Sequence, residues 1–134
     1  MLVVFAIFFS VLVTSIFRQH FSLIITISDV GGLKVGAPVW LQGVTVGKVS
    51  KIDVLSKSQV IMVEIDKKYQ PFLHADAFAE VKAVGLLGSK YVELIRGNKE
   101  SGPINVAKKI DGRLVDPLKT MDENLSRTIE QISV

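Results

Sequence analysis

Two acidic residues of this chain are placed for acid–base chemistry, because Glu64 and Asp66 alternate onto one face of a predicted strand. Paired carboxylates can act as general acid and general base. A half-exposed strand with solvated acids explains the same pattern, and no nucleophile accompanies them. His20 and His74 are each isolated from a second metal-ligand motif. We therefore predict no catalytic residue, no metal site and no cofactor, and a chain that is not an enzyme.

The segment Gly43–Lys48 (GVTVGK) superficially resembles a phosphate-binding loop. Its first spacing is one residue short of that motif, and Val49 stands where the motif requires serine or threonine. We therefore predict a β-turn at this segment.

Charge and cysteine content exclude two further kinds of site. The net charge is +3, but lysine and arginine are scattered singly among the acidic residues. No zinc spacing, aromatic RNA-binding strand or recognition-helix pattern accompanies them, so nucleic acid is not predicted as a partner. The chain has no cysteine, which rules out disulfides and thiolate metal sites.

A short apolar loop is the unusual feature of the sequence. Ala83–Ser89 reads AVGLLGS and places Leu86 and Leu87 between two glycines, Gly85 and Gly88. Leaving a leucine side chain exposed instead of buried costs roughly 1.5 to 3 kcal/mol. Either the loop folds back on the core, or it contacts lipid, a membrane or the same loop of other subunits.

The first residues look like a membrane anchor. Met1–Phe17 contains no charged residue, and all 16 basic and 13 acidic residues lie from Arg18 onward. At ~1.5 Å per residue the run spans roughly 25 Å, slightly less than the ~30 Å hydrocarbon core of a bilayer. Because no cleavage pattern follows, we predict an uncleaved transmembrane anchor over residues 1–20. Arg18 directly after the apolar run weakly favours a cytoplasmic C-terminus.

Residues 21–116 have the pattern of an all-β domain. Leu23, Ile25 and Ile27 alternate with their neighbours, and glycine-rich turns separate short apolar runs. Short strands separated by such turns are typical of a small barrel or sandwich. Strands are predicted at 22–28, 39–42, 46–55, 60–66, 77–84 and 90–95, with a weaker pair within 103–115 and a loop with at most one helical turn at 67–75.

The chain closes with a predicted amphipathic helix over residues 117–134. Asp116 is a good N-cap and Pro117 suits the first helical position. Apolar residues then recur at three- and four-residue spacing, at Leu118, Met121, Leu125, Ile129 and Ile132. This stripe either packs on the chain's own barrel or bundles with copies from neighbouring subunits.

Three segments resemble the mammalian cell entry (MCE) domain family. Asp29–Val54 (DVGGLKVGAPVWLQGVTVGKVSKIDV) resembles the opening of that domain, and Gly85–Leu94 (GLLGSKYVEL) and Ile110–Val115 (IDGRLV) resemble its later landmarks in the right order. The similarity covers Phe21 to Val115 and is greatest with the short, single-domain, MlaD-like type. It implies a small seven-stranded β-barrel with one N-terminal transmembrane helix.

The resemblance also implies a function. Members of this type are lipid-binding subunits of an ABC-type phospholipid transporter, anchored by a single pass in the inner (cytoplasmic) membrane with the barrel in the periplasm. They form a homohexamer with a central hydrophobic pore and bind an ABC permease and its ATPase. By position, the pore loop here comprises Val84, Leu86 and Leu87, with Gly85 and Gly88 as its glycines.

The resemblance also has a consequence for the partners. A ring one domain thick cannot bridge a periplasm, so an outer-membrane partner or a soluble lipid carrier is expected. The alternative hypothesis is a membrane-anchored extracytoplasmic adaptor or adhesin, in which the leucine loop docks a protein.

Overall fold

The computed structural model describes residues 1–16 and 19–132 of the chain. The predicted anchor 1–20 and helix 117–134 include residues 17–18 and 133–134, which lie outside the described residues. In chain order the elements are α1 (Leu2–Ile16), β1 (His20–Ile27), β2 (Pro38–Leu41), β3 (Val44–Val54), β4 (Gln59–Asp66), a 3₁₀ helix (Lys67–Phe72), β5 (Phe78–Ala83), β6 (Lys90–Ile95), a second 3₁₀ helix (Lys99–Ser101), β7 (Ile110–Leu114) and α2 (Pro117–Ile132).

The seven strands close into a barrel in the order β1-β4-β3-β2-β6-β5-β7. Alternate side chains point inward, and on β1 and β4 they are fully or almost fully buried. The pairs β1–β7, β2–β6 and β5–β7 are parallel, and the other pairs are antiparallel. The predicted all-β barrel class is therefore confirmed. The inward side chains of these two strands are Leu23, Ile25, Ile27, Ile61, Val63 and Ile65.

The predicted strands match β1 to β6 to within two residues at each end. The β-turn predicted for Gly43–Lys48 is correct only at its first residue. Gln42 and Gly43 have φ of 51° and 82° and join β2 to β3 in a two-residue hairpin, whereas residues 44–48 already belong to β3. Positive φ at both positions is the pattern of a type I′ turn. The segment is therefore the last turn residue followed by the start of a strand, and not a phosphate-binding loop.

The weaker pair of strands predicted within 103–115 is wrong. The structure has one strand there, β7, and Pro103 contributes only a single bridge to His74. Proline cannot donate to a ladder. The Asn105 side chain then accepts the Ala107 N–H at 3.0 Å, which turns the chain before a second strand can form.

The strand register defines two ends of the barrel. Ala83 pairs with Lys90, and the parallel pairing of β2 with β6 places Pro38 at the same end. We call this the leucine-loop end, because Val84–Ser89 connects β5 to β6 there. His20, where the chain enters β1 after α1, pairs with Asp66 and lies at the opposite end. The chain therefore enters the barrel at the end remote from the leucine loop.

The two helices flank the barrel in the chain. Within the ranges 1–16 and 19–132, no helix combines the length and the apolar character needed to cross a membrane. The predicted start of α2 is confirmed, since the Asp116 carboxylate accepts the Leu118 N–H at 3.0 Å. None of the described residues of α2 is buried, and its apolar stripe is exposed. The alternative in which this stripe packs on the chain's own barrel is therefore wrong. Bundling with other copies stays a prediction.

Candidate functional site

The leucine loop projects from the barrel as the closed tip of a hairpin. The Val84 N–H donates to the Ser89 carbonyl oxygen at 3.0 Å, directly after the last ladder pair of β5 and β6. The side chains of Val84, Leu86 and Leu87 are 53%, 57% and 96% exposed. The interpretation in which the loop folds back on the core is therefore wrong. Three apolar side chains thus share one tip, and each has more than half of its surface exposed.

The two glycines suit the loop for different reasons. Gly85 has a φ of +72°, a left-handed conformation that is unfavourable for a side chain with a Cβ. Gly88 has an ordinary φ, but a Cβ there would overlap the carbonyl oxygen of Val84. The loop thus has a defined backbone that holds its leucines outward. The sequence indicated both glycines but not this difference between them.

An ion-pair network lies below the loop on the outer surface of β5, β6 and β7. Glu80 is the only buried charged side chain among the described residues. It stands opposite Glu93 on β6 and opposite Arg113 on β7. The Lys82 ammonium lies 3.4 Å from Glu80 and 2.6 Å from Glu93. Arg113 donates from Nε to Glu80 at 3.2 Å. The two cations neutralise carboxylates that would otherwise repel each other across the sheet.

The network shifts two pKa values. Burial alone would raise the pKa of Glu80, but the hydrogen bond from Arg113 and the charge of Lys82 outweigh it and hold that pKa below its ordinary value. The hydrogen bond to Glu93 raises the pKa of Lys82. Both groups are therefore held in their charged forms. This network was not predicted from the sequence. The one sign of it in the sequence is Glu80, a glutamate between the apolar residues of β5.

Glu80 should stabilise the fold in a pH-dependent way. We expect Glu80→Gln to lower the free energy of unfolding at pH 7 by about 1 to 3 kcal/mol, because charge-assisted hydrogen bonds are lost. Since the folded pKa lies below the ordinary 4.5, the contribution is present above pH 4.5 and is lost as the pH falls through the folded pKa. The measurement is thermal and urea unfolding of the detergent-solubilised chain at pH 7 and at pH values below 4.5.

Asp53→Asn is the matched control for this prediction. Asp53 pairs with Lys51 at 3.2 Å, but both side chains are more than half exposed. Exposed pairs contribute little to stability, so this variant should change unfolding by less than ~1 kcal/mol. Equal effects of the two substitutions at pH 7 would contradict a specific role of Glu80.

The residues first considered for catalysis do not converge. Glu64 and Asp66 lie half-buried on the outer face of β4, and His20 and His74 are on separate elements. No group of three potential metal ligands occurs in the part of the chain that the structure describes. Asp76 is the other acid with a shifted pKa, lowered by hydrogen bonds from the Ser101 hydroxyl and the Asn98 N–H. It fixes the loop after β6 and has a structural role.

Comparison with known proteins finds relatives in sequence and in structure. The sequence profile of the MlaD protein family matches residues 19–97. The "intermembrane phospholipid transport system binding protein MlaD" of Haemophilus influenzae is 33% identical over 81 residues, which are 59% of this chain and 48% of the relative. The protein of the same name in Escherichia coli is 31% identical over 111 residues, 81% of this chain and 60% of the relative. The chain thus spans about half to three-fifths of the length of these relatives.

A solved structure shares the fold. A chain of the "Acinetobacter MlaFEDB complex in ATP-bound Vtrans1 conformation" superposes with a TM-score of 0.62 and 18% identity. The match covers 91% of this chain and 95% of that chain. At this identity the likeness concerns the fold.

Proposed function

The chain belongs to the MlaD family, and from this premise we propose that it is the lipid-binding and transfer subunit of an ABC-type phospholipid transport system. The observation that carries the proposal is the leucine loop. Leu86 and Leu87 are exposed at the tip of a loop whose two glycines hold a defined backbone. An exposed apolar tip with such a defined shape indicates a contact with another apolar surface.

In this proposal the chain acts as a ring of six copies. The leucine loops converge around the axis, and Val84, Leu86 and Leu87 line a hydrophobic pore, with Gly85 and Gly88 as the glycines that shape the loop. The exposed apolar stripe of α2 supports an oligomer, because a helix with one apolar face requires a partner surface. Bundling of six such helices would cover the stripe.

The proposed organisation assigns one role to each part of the chain. The segment that contains α1 anchors the chain in the inner membrane by a single pass, strands β1 to β7 form the periplasmic barrel, and α2 is the helix that meets its copies. The topology supports this arrangement, since α1 joins the barrel at the end remote from the leucine loop. The apolar character of α1 from Leu2 to Ile16 fits a lipid environment.

The proposed mechanism needs no chemistry from the chain itself. An ABC permease delivers phospholipid to the membrane-facing mouth of the ring, and its ATPase supplies the energy. Acyl chains then cross the constriction of Leu86 and Leu87 tail first, and an outer-membrane partner or a soluble carrier receives the lipid. An apolar constriction forms no directional hydrogen bonds, so its contact with acyl chains is independent of the head group.

Native mass spectrometry of the detergent-solubilised full chain tests this proposal. We expect a hexamer that carries phospholipid, with subunit number and bound lipid read from the same spectrum. A lipid-free monomer or dimer that persists in mild detergent would overturn the transfer role. That outcome would favour a membrane-anchored adaptor whose leucine loop docks a protein.

A further inference from the structure

A cavity opens beside the leucine loop, at the same end of the barrel. Its volume is about 530 Å³. One wall is the glycine-rich segment between β1 and β2, and the other is the end of the leucine loop with the first residue of β6. The residues that matter for its chemistry are Gly31, Gly32, Lys34, Leu87, Ser89 and Lys90.

Two lysines give this cavity a positive charge. Lys34 is exposed and Lys90 is half-buried. Within the described residues, neither ammonium has a carboxylate oxygen within 4.0 Å, whereas Lys51, Lys68 and Lys82 each do. An unpaired lysine offers three hydrogen-bond donors and no acceptor. The cavity therefore presents donors that an anion can satisfy.

The acidic residue closest in sequence to Lys34 does not neutralise these lysines. Asp29 begins the same glycine-rich segment, and its carboxylate accepts the Gly31 N–H at 2.8 Å. No ion pair joins it to Lys34 or Lys90 in the described structure. The Ser89 side chain adds a neutral hydroxyl to the same wall. The polar lining thus combines two cations with one hydroxyl, a set that suits a phosphate.

The position of Leu87 makes the cavity amphipathic. Leu87 is 96% exposed and also lines the cavity that the two lysines share. We propose that this cavity is a phosphate subsite, in which Lys34 and Lys90 hold the phosphodiester of a glycerophospholipid while its acyl chains lie along the leucine loop. The proposal rests on the proposed transfer function and adds to it a polar subsite next to the apolar constriction.

The subsite is tested by binding of three probes to the detergent-solubilised full chain. The probes are dioctanoylphosphatidylglycerol, dioctanoylglycerol with the same acyl chains but no phosphate, and inorganic phosphate. We compare the unchanged chain with Lys34→Gln/Lys90→Gln by native mass spectrometry in an uncharged detergent. Lys51→Gln/Lys57→Gln is the control, because it removes the same charge from the neighbouring strand β3 and its hairpin, outside this cavity.

We expect Lys34→Gln/Lys90→Gln to weaken phosphatidylglycerol binding by about a hundredfold, because two charge-assisted contacts, each a factor of about ten, are lost. Dioctanoylglycerol binding should not change, and the control should bind both lipids like the unchanged chain. An unchanged affinity of the Lys34/Lys90 variant, or an equal loss in the control, would overturn the subsite. The subsite would also be overturned if the lysine substitutions weakened the binding of inorganic phosphate but not that of phosphatidylglycerol. The cavity would then be a site for free phosphate. If the unchanged chain bound neither lipid, the transfer function itself would fail.

Discussion

Replacing Leu86 and Leu87 together by asparagine is expected to abolish lipid transfer and to leave the assembly intact. Leu87 is 96% and Leu86 57% exposed, so the substitution removes few contacts of the folded protomer and should change its stability by less than ~1 kcal/mol. The constriction, however, loses two apolar contacts of roughly 1.5 kcal/mol each or more, which corresponds to a loss of transfer on the order of a hundredfold. The measurement is outer-membrane permeability in cells that depend on this chain.

A second exposed apolar pair provides the control for this experiment. Val54 and Leu55 lie at the hairpin between β3 and β4, at the same end of the barrel, and are 79% and 50% exposed. Val54→Asn with Leu55→Asn changes surface polarity to a similar degree outside the proposed pore, and should retain transfer. Native mass spectrometry shows whether each variant still assembles. Full transfer by the Leu86/Leu87 variant would disprove the pore role of the loop.

Gly88→Ala is expected to impair transfer almost as strongly, although it adds only one methyl group. The new Cβ would overlap the carbonyl oxygen of Val84, and a backbone atom cannot move aside as a flexible side chain can. The loop must therefore open, and the hydrogen bond from the Val84 N–H to the Ser89 carbonyl is lost. We expect the leucines to lose their common direction, with a loss of transfer of at least about tenfold and a cost of about 1 to 3 kcal/mol in unfolding free energy.

The neighbouring glycine supplies the contrast. Gly85 needs a left-handed φ of +72°, but no atom lies within 4 Å of a Cβ built on it. Asparagine visits that conformation at low cost, so Gly85→Asn should keep most of the activity. Transfer and thermal unfolding of the two variants are measured side by side. If Gly88→Ala behaved like Gly85→Asn, the defined loop backbone would have no role in transfer.

The lysine and the leucine substitutions should affect the binding of different lipids. Loss of Leu86 and Leu87 should weaken both dioctanoylphosphatidylglycerol and dioctanoylglycerol, because acyl chains are common to them. Loss of Lys34 and Lys90 should weaken only the lipid that carries phosphate. Comparing the two variants therefore shows whether the protein contacts only the acyl chains of the lipid or also binds its phosphate.

Local patterns in the sequence determined most of the barrel wall. Leu23, Ile25 and Ile27 alternate because a strand places every second side chain on one face, and that period is visible in adjacent residues. The cap of α2 is also local in the sequence, because the Asp116 carboxylate accepts the N–H of Leu118, two residues later. The exposure of Leu86 and Leu87 was one of two alternatives left open by the sequence, and only the coordinates decided it.

The sequence by itself thus determined the all-β class, the six strands β1 to β6, the start of α2 and the loop on which function is proposed. Only the tertiary structure decided that Glu80 is buried between Glu93 and Arg113, and that Lys34 and Lys90 line one cavity with Leu87. The physical reason is the range of the interactions. Strand period and capping act between residues a few positions apart. Arg113 reaches Glu80, and the segment of Lys34 reaches Lys90, only through the parallel pairings β5–β7 and β2–β6, which form when the barrel closes.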